Sequence, residues 1–212
     1  QEYLKENDFN VISINRQNYN SSIGQRADVI INCNGNSLRY KANKDKHRDF
    51  FDNVVSVGRT LKDFNCDIYV YISTVDVYSN KSNYDSTHED SKIDPSLLDF
   101  YGFNKWLAER LVEKYSKNYI ILRSGTVVGK GLKKGPIFDI INNKSIKMSL
   151  ESKLAMIDTN LIAECLHEIL KKRLINNIYN LSGNHPLLLQ NLSKNYGLSV
   201  KINKDSSPVY NY

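Results

Sequence analysis

Two hydrophobic periods alternate along this chain. Between about Lys44 and Leu61 the apolar positions Phe50, Val54, Val57 and Leu61 fall at i, i+4, i+7 and i+11, one buried stripe of a helix. The stretches "FYGFNKWLAERLVEKY" and "NLIAECLHEILKK" carry the same period and predict two further helices. Short apolar runs bounded by polar or turn residues predict strands: Val11–Ile14, Val29–Ile31, the run in "CDIYVYIST", "YIILRS" and "NIYNLSG". Strands that alternate with helices imply a parallel sheet covered on both faces, an α/β chain of the doubly wound kind. After about Gly129 the pattern loosens. "GPIFDII" starts a short helix with Pro136 in its first turn, and "PLLLQNLSKNYG" reads as a helix closed by Gly197. No internal repeat or low-complexity linker interrupts the 212 residues.

Composition narrows the classes. With 41% hydrophobic residues the chain is globular rather than disordered. No apolar run is long enough to cross a bilayer, and no basic-then-apolar leader follows Gln1, so no membrane partner and a cytoplasmic location are expected. Cys33, Cys66 and Cys165 are odd in number and far apart, which suggests buried thiols in a reducing compartment and no metal site. A net charge of +6 permits nucleic acid or a phosphorylated small ligand as partner. The charges are dispersed without a basic-aromatic stripe, so a solvated surface is the reading and no nucleic acid is expected.

A doubly wound domain opens with a strand and a Gly-rich turn that seats a pyrophosphate on a helix N-terminus. Here the first residues read as the tail of that helix, so the N-terminal strand and Gly-rich loop are expected to be missing from this sequence. The one glycine cluster, "GKGLKKG", follows a late strand with the wrong spacing and reads as a flexible loop.

The chemistry-bearing pattern is Tyr-x-x-x-Lys, which occurs at Tyr40/Lys44 and at Tyr101/Lys105. On a helix, positions i and i+4 share a face, so an ammonium can approach a phenol and favour phenolate. Such a phenol can trade a proton with a substrate oxygen that a strand-end hydroxyl holds in place. Only the second pair has that hydroxyl, in "VYISTVDVY", a strand ending at Ser73-Thr74.

These stretches, in their order, resemble the extended short-chain dehydrogenase/reductase family, the NAD(P)-dependent epimerase/dehydratase group. "DVIINCNG" is similar to the family's strand and Asn-Ala-Gly-type turn, "DFFDNVVSVGRTL" to its asparagine-bearing helix, "YISTVDVY" to its hydroxyl-bearing strand end and "HEDSKIDPSLLDFYGFNKWLAE" to its Tyr-Gly-x-x-Lys…Glu stretch. "ILRSGTVVGKG", with Ser124 where proline is usual, "MIDTNLIAECL" and "IYNLSG" complete the series over roughly residues 10–185. The resemblance implies a Rossmann-type dinucleotide-binding core, residues 1–130 with a helix and strand from 155–183. Residues 131–154 and 184–212 would form a small substrate-binding lobe, incomplete where the tail "KDSSPVYNY" stops. It implies a homodimer paired through the helices near Lys44–Leu61 and Phe100–Lys117.

Carried over by position, Tyr101 matches the acid/base and Thr74 the hydroxyl that bonds the substrate oxygen, with neighbouring Ser73 the alternative. Lys105 matches the lysine that lowers the phenol pKa and bonds the nicotinamide ribose. Asn53 matches the asparagine that supports this lysine, with Ser56 where glycine is usual. Asn34, Gly35 and Ser124 fall beside the cofactor. The end of "VISINR" chooses the dinucleotide. Asn15 replaces the usual carboxylate and Arg16 follows, which suits the extra phosphate of NADP, with NAD as the alternative.

Dehydratases of the family carry Thr-Asp-Glu, whereas this chain has Thr74-Val75-Asp76, which speaks against 4,6-dehydration. Asp76 is a local hydrogen-bond partner or a substrate contact. The resemblance therefore implies an enzyme, a reductase for a keto group of a nucleotide-activated sugar. The alternatives are an NAD-dependent nucleotide-sugar epimerase and a non-catalytic NADP-binding sensor or scaffold. Lys130, Lys133 and Lys134 read as a solvated basic loop, His88 as loop surface, His167 as a half-buried helix edge and Trp106 as a packing residue.

Overall fold

A computed structural model describes residues 1–81 and 84–203. The tail Lys204–Tyr212, assigned above to the small lobe, lies outside the described residues.

The chain opens with helix α1 (Glu2–Glu6). The run Val11–Ile14, expected to be a strand, forms none: no strand among the described residues offers it a ladder, and Ile12 and Ile14 are exposed. Asn18 ties the segment into a turn instead. Its Nδ2 donates to Ser13 O (2.9 Å) and its Oδ1 accepts from Asn15 N (2.6 Å). A one-turn helix, α2 (Tyr19–Ser22), and strand β1 (Arg26–Asn32) follow.

Helix α3 (Arg39–Lys44) ends where the predicted 44–61 helix was to begin, and that helix is itself broken into α4 (Lys46–Phe50), a π-helical turn at Phe51–Val55, and α5 (Ser56–Asp63). Asp45 ends α3 and caps α4, accepting from Arg48 N at 2.9 Å. The wide π turn shifts the stripe's register. Val54 and Val57 are buried, whereas Phe50 is turned out to 40% exposure.

Strand β2 (Asn65–Thr74) leads through a loop to α6 (Phe100–Tyr115) and β3 (Tyr119–Ser124). Asp99 caps α6, its Oδ1 accepting from Gly102 N at 2.9 Å. Beyond come β4 (Thr126–Val128), α7 (Pro136–Ile141), β5 (Ser145–Ile146), β6 (Lys153–Leu154), β7 (Met156–Asp158), α8 (Thr159–Lys171), β8 (Asn177–Leu181), β9 (Leu187–Leu188), α9 (Gln190–Tyr196) and β10 (Lys201–Ile202).

The main sheet has the order β1-β2-β3-β8 with every pair parallel. Side chains alternate faces along a strand. Val70, Ile120 and Leu122 pack with Leu166 and Ile169 of α8 on one face. Tyr69, Tyr71 and Ile121 pack with Val57 of α5 and Ala108 and Val112 of α6 on the other. Helices on both faces make the doubly wound α/β architecture that the sequence pattern implied. A third cluster, Ile140, Ile146, Leu154, Leu189 and Leu192, lies among α7, β5, β6 and α9, outside the sheet.

Candidate functional site

Strands β1, β2 and β3 end at one edge of the sheet, at Asn32, Thr74 and Ser124, and Thr74 stands opposite Ser124 in the register. Parallel sheets bind ligands beyond such carboxyl ends. Asn32 is buried and fixes the turn after β1. Its Nδ2 donates to Thr60 Oγ1 (2.9 Å) and Tyr69 Oη (2.6 Å), and its Oδ1 accepts from Asn34 N (2.7 Å). Gly35 in that turn has φ +123°, and a Cβ there would lie 2.3 Å from Asn53 Oδ1, so both backbone conformation and contact require glycine.

The two hydroxyls at the tip of β2 have different partners. Ser73 Oγ donates to Glu109 Oε1 (2.5 Å), deep under α6. Thr74 Oγ1 accepts from Asp76 N (3.2 Å) and donates to Asp76 Oδ2 (3.3 Å). It also lies within hydrogen-bonding reach of the Tyr101 hydroxyl. Thr74, not Ser73, is thus the strand-end hydroxyl beside the phenol.

Tyr101 and Lys105 sit on the inner face of α6, 6% and 5% exposed. Lys105 Nζ donates to Ile72 O (2.8 Å) and lies 4.4 Å from the centroid of the Tyr71 ring, a cation–π contact. Burial lowers the Lys105 pKa to about 8, against the opposing pull of Glu109, Cys33 and Asp49. The phenol differs from the expectation that its pKa would be lowered. Burial, then Asp76, Asp49 and Asp99, push Tyr101 well up, and the hydrogen bond with Thr74 offsets only part of this.

Asn53 lies in the π turn. Its Nδ2 donates to Asp49 Oδ1 (2.9 Å), and its buried Oδ1 has no partner. Asp49 also accepts from Asn36 Nδ2 and Asn104 Nδ2, both at 2.8 Å, so three amides satisfy a buried carboxylate beside Lys105. Ser124 Oγ donates to Ser73 O (3.1 Å), joining β3 to β2.

The structure therefore brings Asn34, Gly35, Asn53, Ser73, Thr74, Asp76, Tyr101, Lys105 and Ser124 to one edge of the sheet. Asn15 and Arg16 stand apart on an exposed turn, where Asn15 Oδ1 accepts from Gln17 N at 2.8 Å. The strand end that was to place them does not form. Lys130 pairs with Glu2 at 3.0 Å on the surface, and His167 Nδ1 is 3.3 Å from Tyr3 Oη.

Four participants escaped the sequence reading. Arg39 bonds Asp76 Oδ1 through Nη1 (2.9 Å) and Asp99 Oδ2 through Nε. Asp49 holds Asn53. Arg123 is 1% exposed and grips Glu109, itself fully buried, through Nε–Oε1 (3.1 Å) and Nη2–Oε2 (2.8 Å). The period-2 alternation of β2 puts Tyr71 on the α6 face. The spacing Lys105–Glu109, one helical turn, was the one available signal for the buried pair.

No curated protein matches the chain. Its fold is similar to that of Pal from Bacillus thuringiensis (TM-score 0.68, 18% identity, 87% of this chain and 63% of that one). It is similar to UDP-glucuronic acid 4-epimerase from Bacillus cereus in complex with UDP-glucuronic acid and NAD (TM-score 0.66, 22% identity, 87% and 63%). A third likeness is dTDP-4-dehydrorhamnose reductase from Bacillus anthracis in complex with NADP (TM-score 0.66, 16% identity, 86% and 66%). The chain thus spans about two thirds of the length of these structures. A family model described as the NAD dependent epimerase/dehydratase family matches residues 2–182, most of the chain, so the chain belongs to that family of NAD-dependent enzymes.

Proposed function

We propose that the chain is the core of an NAD(P)-dependent oxidoreductase that reduces a keto group on a nucleotide-activated sugar, with NADP as the preferred dinucleotide. The observation that carries this reading is the Thr74 hydroxyl in reach of the Tyr101 phenol, with Lys105 one turn along the same helix face, at the carboxyl edge of a parallel sheet.

The residues at this edge fit the nicotinamide half of the dinucleotide. Asn53 offers a buried oxygen without a partner, Gly35 keeps the turn free of a side chain, and Lys105 is a buried cation in reach of a ribose. The Arg16 guanidinium suits a 2′-phosphate, though it lies on an exposed turn. When bound, the nicotinamide supplies or takes up hydride.

The chain's own part is orientation and proton transfer. Thr74 and Tyr101 converge on the sugar oxygen, and Tyr101 delivers its proton as that oxygen gains charge. Burial and the nearby carboxylates keep the phenol protonated, which suits a proton donor. Lys105, charged below about 8, stands one helical turn from the phenol on the same face of α6. Asp76 accepts from Thr74 and so helps set its hydroxyl. That same bond favours a second reading, an epimerase. A Thr74 oxygen already committed as donor is ready to accept from a sugar hydroxyl.

We propose further that a second copy covers the groove that Phe50 of α4, Val54 of the π turn and Leu107, Leu111 and Tyr115 of α6 line together with Arg110 and Lys114. The thiols are free but not buried as expected, Cys33 being exposed and Cys66 and Cys165 half-buried, and free thiols fit a reducing, cytoplasmic setting. Mass spectrometry of small molecules co-purifying with the protein, followed by an NADPH-consumption assay on keto-sugar nucleotides, tests the reading. Bound NADP with net NADPH oxidation supports a reductase. Retained NAD with isomerised sugar and no net oxidation supports the epimerase. Neither dinucleotide nor turnover would end both.

A further inference from the structure

We infer that Arg39 is a positioning residue, a guanidinium clamp that sets the spacing between the strand-end hydroxyl of Thr74 and the phenol of Tyr101. It rests on the reading of those two groups as the pair that holds the substrate oxygen.

The geometry is a bridge between two elements. Asp76 lies two residues after Thr74, beyond the tip of β2; Asp99 lies two residues before Tyr101 and caps α6. Arg39, on α3, serves both, Nη1 to Asp76 at 2.9 Å and Nε to Asp99. Its side chain is 23% exposed, so the two bonds are largely shielded from water. An independent contact shows how closely the joined pieces approach. A Cβ on Gly102 would lie 2.4 Å from Asp76 O, so the first turn of α6 rests directly on the loop after β2.

Only glycine permits that approach, and only a planar fork reaches both carboxylates from one side. Asp76 also takes Lys81 Nζ at 2.8 Å, a second cation on the same carboxylate. The phenol and the hydroxyl belong to different elements, and a shift of about 1 Å between reacting groups costs on the order of a hundredfold in rate. A cross-element tie at this point therefore acts on catalysis through position.

The test compares Arg39→Gln and Arg39→Lys with the unaltered protein. Lysine keeps the charge but, as a single ammonium, cannot serve the two carboxylates as a planar fork does. Amide hydrogen exchange is read first, on the protein without substrate. Both variants should speed exchange at Asp76, Tyr78 and Gly102, with protection of β1, β2 and β3 unchanged. With substrate, kcat should fall between about tenfold and a hundredfold while KM changes little, the sign of an interaction expressed in the transition state. Unchanged exchange at the three amides, a uniform rise along the chain, or full recovery by lysine would each overturn the clamp. Should Tyr101→Phe turn over normally, the reading of the site fails, yet the exchange result still decides whether Arg39 ties the two elements together.

Discussion

Replacing Glu109 by glutamine removes one charge from a pair sealed inside the protein. Glu109 is fully buried and Arg123 1% exposed, so the guanidinium left behind has no solvent to turn to. Two charge-assisted bonds, at 3.1 and 2.8 Å, lose their ionic acceptor, and so does the 2.5 Å bond from Ser73. Arg123 keeps Tyr78 Oη at 2.9 Å, a neutral acceptor. Breaking one side of a buried pair costs about 3–5 kcal/mol. For a chain of this size that is a fall in Tm of about 6–20 °C, at roughly 2–4 °C per kcal/mol. Urea unfolding followed by far-UV circular dichroism, read as a shift of midpoint at constant m, measures it. The double variant Glu109→Leu/Arg123→Met removes both charges and should recover most of the loss, since a well-packed apolar pair matches a buried ion pair. The reasoning is refuted if Glu109→Gln costs under about 1 kcal/mol, or if the double variant is as unstable as the single.

Two further outcomes follow from the site. Thr74→Val should abolish most activity, whereas Ser73→Ala should act mainly on stability, because Ser73 Oγ bonds Glu109 rather than the phenol; paired kcat and unfolding measurements on both variants separate the roles, and the reverse pattern would transfer the substrate contact to Ser73. Lys105 releases its proton near 8 when folded, against 10.5 ordinarily, so the unfolded chain binds more protons in between and this group makes stability rise with pH over that window. Comparing unfolding free energies of the unaltered protein and Lys105→Met from pH 8 to 9.5 should show a difference that grows by about 2 kcal/mol, and parallel curves would mean that the lysine keeps its ordinary pKa.

Much of this was legible in the sequence because the signals were local. The short apolar runs of β2 and β3 and the 3.6-period stripes of α6 and α8 mark a parallel sheet between helices, and the Thr74…Tyr101/Lys105 spacing places a hydroxyl, a phenol and an ammonium at one edge. What stayed hidden was set by tertiary contact. Val11–Ile14 has the composition of a strand, but strand formation needs a neighbour to bond, and none is present among the described residues. The helix stripe through Phe50 ignored the π turn, whose extra residue per turn leaves no mark on hydropathy. Arg39, Asp49 and Arg123 were given no role from the sequence of a chain with 29 basic and 23 acidic residues. Only folding reveals that their partners lie 60, 4 and 14 positions away. The depressed phenol pKa expected from the lysine neighbour does not arise: burial and the carboxylates of Asp76, Asp49 and Asp99 raise it, and of these only Asp99 stands near Tyr101 in the sequence.

The central claim is that the Tyr101 phenol hands a proton to a sugar oxygen. Single-turnover measurement of Tyr101→Phe, with NADPH oxidation followed on a keto-sugar nucleotide and dinucleotide affinity measured in parallel, tests it most directly. The account predicts a rate lowered by about a hundredfold to ten-thousandfold, the scale of positioned proton transfer, with the dinucleotide bound as before. A variant that oxidises NADPH at the unaltered rate would contradict it.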